Sequence, residues 1–89
     1  MKIKIIGITK EMKSGVSRKN QKPYSGYFIS YGYRMEDVHG LKTDSFLYSA
    51  DVMRESNGYV PEPGDVCDLI YGRGGFIEGM RPLGKGELN

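Results

Sequence analysis

Between Tyr24 and Arg34 the side chains alternate residue by residue, with Tyr27, Ile29, Tyr31 and Tyr33 on one side and Phe28, Ser30 and Gly32 on the other. Period two in aromatic and β-branched residues is the pattern of a strand, whose successive Cβ atoms point to opposite faces. Lys2–Ile8 begins the same way, lysines on one face and Ile3 and Ile5 on the other, and reads as a first strand. Asp44–Met53 alternates Phe46, Tyr48, Ala50 and Val52 and reads as a third, with a helix running on towards Glu55 as the alternative. Asp65–Tyr71 and Phe76–Met80 read as a last strand pair around Gly72-Arg73-Gly74-Gly75, residues that tolerate positive φ. Asn57-Gly58 and Pro61-Glu62-Pro63-Gly64 are turns. Met35–Thr43 is a connection with room for one helical turn, and the polar stretch Thr9–Pro23 is a long loop or mobile hairpin. Five short strands with an excursion before the second give an all-β chain, expected as a small closed or nearly closed antiparallel barrel.

The size of the chain limits what such a barrel can be. Eighty-nine residues make one domain, residues 1–89, and exclude a two-domain enzyme. With 38% hydrophobic and 27% charged residues the composition is that of a globular protein, not a disordered one. Uninterrupted apolar runs are only a few residues long, far short of the ~20 that span a bilayer. The N-terminal lysines and isoleucines are interleaved rather than segregated as in a signal peptide, so an intracellular protein is expected. One cysteine, Cys67, and one histidine, His39, offer neither a disulfide nor a zinc cluster, and a core this small without staples points to a dimer.

The net charge of +2 conceals a division along the chain: residues 1–34 sum to +7 and residues 35–89 to −5. The basic excess centres on the run from Lys13 to Ser25, where Lys13, Arg18, Lys19 and Lys22 lie within ten residues and lead directly into the aromatic strand. Cations on a flexible arm can neutralise successive phosphates, and aromatic faces can stack on unpaired bases. That combination points to single-stranded nucleic acid. No arrangement suggests an enzyme, a cofactor or a metal. His39 sits between Val38 and Gly40 with no motif around it, Cys67 alternates with Leu69 as a core residue would, and the acids lack ligand spacing. Gly72-x-Gly74-Gly75 does not open a helix, so it is no dinucleotide loop.

Ser14-Gly15-Val16-Ser17-Arg18 followed by Lys22-Pro23-Tyr24-Ser25 resembles the DNA-binding arm of the single-stranded-DNA-binding (gene-five) proteins of filamentous bacteriophages, with the arm one residue longer here. The N-terminal strand, Gly58-Tyr59-Val60-Pro61, Pro63-Gly64 and Ile77-Glu78-Gly79-Met80-Arg81 are similar as well. The resemblance implies a five-stranded OB-like barrel, a symmetric homodimer, and non-catalytic, cooperative coating of single-stranded DNA in the cytoplasm of a bacterial host. It implies phosphate contacts from Arg18 and Lys22, with Lys13 in place of an arginine and Tyr24 on the binding hairpin. Tyr33, or Tyr31, stands where the family keeps a base-facing tyrosine, and Arg81 matches the second of two C-terminal basic positions. The first of those is Gly79 here, and a lysine expected on the third strand is Ser49. The loop Gly72–Gly75 is shorter than the family's, which supplies an aromatic at the dimer axis; Arg73 and Phe76 are the candidate substitutes.

Each of these residues also has a plainer reading. Strand tyrosines commonly bury the ring and leave the hydroxyl at the edge, so Tyr27 stays open between packing, in the core or an interface, and binding. Arg73 reads more readily as a generic surface cation than as a ligand contact, and Pro23 as a geometric device fixing φ where arm meets strand. Two other functions suit the same chain: a protein–protein adaptor using the acidic half and the tyrosine strand, and a single-stranded RNA binder acting in translational repression.

Overall fold

The computed structural model describes residues 1–88. The chain forms β1 (Lys2–Ile8), β2 (Lys13–Val16), β3 (Pro23–Tyr33), β4 (Lys42–Ser49), α1 (Ala50–Glu55), β5 (Asp65–Tyr71), a 3-10 turn (Arg73–Gly75) and β6 (Ile77–Lys85). All pairings are antiparallel. One edge of β3 is bonded to β2 along its first residues and to β1 further on, and its other edge is bonded to β4; β1 then pairs β5, and β5 pairs β6. Register shifts at Ile5/Gly7 and at Val66/Cys67 and Ile70/Tyr71 mark bulges, which bend a sheet.

The fold is thus mostly antiparallel β-sheet, but the ladder is not closed: among the described residues no pairing joins β4 to β6. The end of α1 spans that gap. The buried Ser56 hydroxyl donates to the Val52 carbonyl (2.7 Å) and accepts the Met80 amide of β6 (2.8 Å).

The core follows from the alternation. Ile3 and Ile5 of β1, Ile29 and Tyr31 of β3, Tyr48 of β4, Cys67 and Leu69 of β5 and Met80 of β6 meet inside the curved sheet, with Tyr27, Tyr33, Phe46, Val52 and Met53 packed against them. Burying each of the larger aliphatic side chains contributes roughly 1.5–3 kcal/mol. An aromatic row runs through this interior: Tyr31 lies 5.9 Å from Tyr33 and 5.5 Å from Phe46, and Phe46 lies 6.4 Å from Tyr48, measured between ring centroids.

Four expectations need correction. The strand expected over Asp44–Met53 stops at Ser49, and a short helix takes over. Ser49 caps it by accepting the Val52 amide (3.2 Å), and Asn57 and Gly58, both at positive φ, end it. The excursion before β3 contains an additional strand, β2, so there are six strands rather than five. The last strand runs on to Lys85, although Pro82 has no amide hydrogen. Among the described residues its outer edge has no strand partner, so the missing donor costs nothing there. Phe76 lies outside that strand, which begins at Ile77. In the connection before β4 the local order is a turn closed by the Val38 amide on the Met35 carbonyl, not a helical turn.

The turn before β5 is pinned by a polar cluster. The Tyr59 hydroxyl donates to Asp65 Oδ2 at 2.5 Å, the Glu62 amide donates to the same oxygen at 2.9 Å, and Lys85 Nζ lies 3.3 Å from Oδ1. Burial pushes the Asp65 carboxyl up, but the bonds from Tyr59, Glu62 and Lys85 outweigh it and leave the group below the ordinary carboxylate value. Burial pushes the Tyr59 phenol up, and its bond to Asp65 pushes it further the same way. The Tyr48 hydroxyl donates to the Tyr59 carbonyl (2.6 Å), tying this cluster to the core.

Candidate nucleic-acid interface

The basic arm is a hairpin. β2 pairs with the start of β3 in the register Lys13↔Gly26, Ser14↔Ser25, Gly15↔Tyr24 and Val16↔Pro23. The connection is ordered by its own polar groups. The Ser17 amide donates to the Lys22 carbonyl (2.9 Å), the Gln21 amide to the Ser17 carbonyl (2.8 Å), and the Lys22 amide to the Asn20 side chain (3.1 Å). Arg18, Lys19 and Lys22 are all exposed on it. None of the ion pairs among the described residues involves them or Lys13.

The hairpin continues into the outward face of β3. Even-numbered positions point outward, so Tyr24 and Phe28 stand on one face with Gly26 between them. Their rings meet edge to face, 6.0 Å between centroids and 72° between planes, and Phe28 is 43% exposed. Lys13 of β2 and Ser49 of β4 flank Gly26 in register, and Leu47 stands opposite Phe28. Gly26 is required where it stands, since a Cβ would overlap the Tyr48 carbonyl oxygen. Ile6 of β1, half exposed, extends the same face, its Cδ1 lying against Gly32.

The other candidates lie elsewhere. Tyr31 is only 7% exposed and belongs to the core, where burial pushes its phenol up; it leaves no face for a base. Tyr33 is half-buried beside it at the far end of β3. Because β1 runs antiparallel to both β3 and β5, the β5–β6 tip falls at the end of the sheet away from the arm. Arg73 and Phe76 are exposed there, Phe76 at 76%, and do not join the arm within one chain. Arg81 is held by Asp68 at 3.2 Å, and Asp68 also accepts from the N-terminal amine at 3.1 Å. That amine, with Arg81 in support, holds the Asp68 carboxyl below its ordinary value.

Phe28 was not among the residues the sequence nominated. Its signal is the parity of β3: Tyr24 and Phe28 share one face, whereas Tyr24 and Tyr33 cannot. The acidic groups gather elsewhere. A shallow hollow of about 430 Å³ beside α1 is lined by Asp51, Glu55 and Glu78 together with Val52 and Ile77, and carries the wrong sign for a polyanion. Among the described residues no group of three or more His, Cys, Asp or Glu side chains could hold a metal ion, and no helix is long and apolar enough to cross a membrane.

Comparison of the chain with protein-family models, with curated proteins and with solved structures gives no significant match in any of the three.

Proposed function

We propose that the protein binds single-stranded nucleic acid without catalysis and largely without regard to sequence, with DNA as the ligand and strand coating during replication of phage or plasmid DNA as the role. The observation that carries this reading is the continuity of the arm with the outward face of β3: four cations outside any ion pair among the described residues lead into the half-buried Tyr24 and the exposed Phe28. Arg18, Lys19, Lys22 and Lys13 neutralise phosphates, releasing counterions, and Tyr24 stacks on a base. The resemblance of Ser14–Arg18 and Lys22–Ser25 to the gene-five arm supports the same reading, and with it an OB-like barrel whose remaining gap α1 closes.

The same reading includes a symmetric dimer. Ile70, Tyr71 and Phe76 are exposed large apolar side chains at or near the β5–β6 tip, and covering such a patch favours association. Arg73 and Phe76 then reach a bound strand from the second copy, which is the arrangement their distance from the arm within one chain requires. Arg81 contributes only if a phosphate displaces Asp68.

Fluorescence anisotropy of a labelled mixed-sequence single strand, with wild type and with Arg18→Ala/Lys22→Ala, tests the proposal. Wild type binds at low salt and the double variant binds at least tenfold more weakly. Equal binding by the two would contradict the arm's role and turn attention to the adaptor function. A sizing column tests the dimer, since elution as a monomer contradicts it.

A further inference from the structure

We infer that Tyr24 and Phe28 form a two-ring platform for two neighbouring unpaired bases, that Lys13 meets the phosphate between them, and that Gly15 is the positioning residue that holds Tyr24 in place. The inference rests on the reading above and adds to it a second stacking ring and the reason the first is rigid.

Gly15 stands directly opposite Tyr24, and the hydroxyl end of the ring lies across it. A methyl group on Gly15 would sit 2.9 Å from the Tyr24 hydroxyl oxygen and 3.1 and 3.3 Å from two ring carbons, closer than such contacts occur without movement. The φ of Gly15 is not positive, so the backbone itself does not require glycine there. A methyl group there would instead displace the hydroxyl end of the Tyr24 ring. With its hydroxyl end against β2 at Gly15 and its ring in edge-to-face contact with Phe28, Tyr24 is restrained before any ligand arrives, so less side-chain freedom is lost on stacking.

The two rings stand 72° apart, so they cannot both lie parallel to two bases that remain stacked on each other. A strand that uses both must open its stack and turn between the two bases. An unpaired polynucleotide can do this at small cost, and a duplex cannot without breaking pairs. Lys13, in register with the side-chain-free Gly26 between the rings, is placed for the phosphate at that turn. Flat rings and a cation on one outward face complement an unpaired polyanion of either sugar. Leu47, opposite Phe28, adds an apolar side chain to the floor.

The test uses labelled single-stranded DNA and RNA of one mixed sequence with wild type, Phe28→Leu, Tyr24→Leu, Gly15→Ala and the Gly15→Ala/Tyr24→Leu double variant. Phe28→Leu keeps an apolar side chain but removes the flat face. It weakens binding by about 5- to 100-fold on both nucleic acids. The slope of affinity against salt stays the same, because no phosphate contact is lost. Gly15→Ala weakens binding when Tyr24 is present and adds nothing once Tyr24 is leucine, a coupling that a merely structural role would not produce. If wild type binds and Phe28→Leu binds equally well, the platform is refuted while the proposed function stands. If Gly15→Ala costs the same in both backgrounds, the positioning role is refuted. If wild type binds neither strand at low salt, the platform falls together with the function it rests on.

Discussion

The two faces of β3 are made of similar side chains and meet opposite surroundings. Inward, Tyr27, Ile29, Tyr31 and Tyr33 pack against Ile3, Ile5 and Tyr48; outward, Tyr24 and Phe28 stand beside Lys13 with Phe28 nearly half exposed. Aromatic content alone therefore does not distinguish a core from a docking face. The difference comes from what the curved sheet closes over each ring. The inner tyrosines pack in the core with Ile3, Ile5, Ile29 and Phe46, while Tyr24 stands opposite Gly15 and Phe28, opposite Leu47, keeps 43% of its surface exposed. Stability should accordingly follow the inner face and ligand binding the outer one.

The largest effect expected is on the inner face. Tyr31→Ala should lower unfolding free energy by about 3–5 kcal/mol, whereas Phe28→Ala costs about 1 kcal/mol or less. Chemical denaturation measures both, and equal losses would erase the distinction between the faces. Next is the cluster that pins the turn before β5. Asp65→Ala removes the acceptor of the Tyr59 hydroxyl and the Glu62 amide and should cost about 2–3 kcal/mol near neutral pH. Since the folded state holds the Asp65 carboxyl below its ordinary value, this stabilisation is fully present above about pH 4 and is lost as pH falls through the lower folded value. The gap between wild type and variant should therefore shrink on acidification; a gap that widens would contradict the assignment. Ser56→Ala, which leaves the buried Met80 amide without its acceptor, should cost about 1–2 kcal/mol and loosen the side where the sheet is open. Faster hydrogen exchange at Met80 would report it. Smallest in stability is the arm: Arg18→Ala/Lys22→Ala should melt within about 0.5 kcal/mol of wild type, with its whole effect on binding.

How much of this was legible beforehand depended on how cleanly each segment alternates. β1 and β5 match their expected bounds because Ile3 and Ile5, and Cys67 and Leu69, alternate inward despite the bulges at Ile5/Gly7, Val66/Cys67 and Ile70/Tyr71, and β3 differs by one residue at each end. The segment from Asp44 was ambiguous because Ala50 and Val52 fit both a strand and a helix turning at a Ser49 cap. Only packing of Val52 and Met53 against the core decides between them. β2 was legible only as the hairpin alternative to a long loop, because Lys13–Val16 carries no inward apolar pattern and exists as a strand by pairing with β3. The last strand is expected to end at Met80, and the outer edge of β6, without a strand partner among the described residues, is what lets Pro82 lie within it.

In the interface, the basic arm was visible as charge density, and Tyr24 as its aromatic neighbour. Tyr31 enters only through the resemblance, as the alternative to Tyr33, and the inward parity of β3 buries it, while the same parity puts Phe28 on the outer face with Tyr24. The separation of Arg73 and Phe76 from the arm depends on strand directions that spacing does not encode.

The most direct measurement is the salt dependence of wild-type affinity for a mixed-sequence single strand. If Lys13, Arg18, Lys19 and Lys22 each meet a phosphate, log affinity should fall against log salt with a slope near −3, about 0.7 per cation. An affinity indifferent to salt, or no binding at the lowest salt, would contradict a polyanion held by the arm.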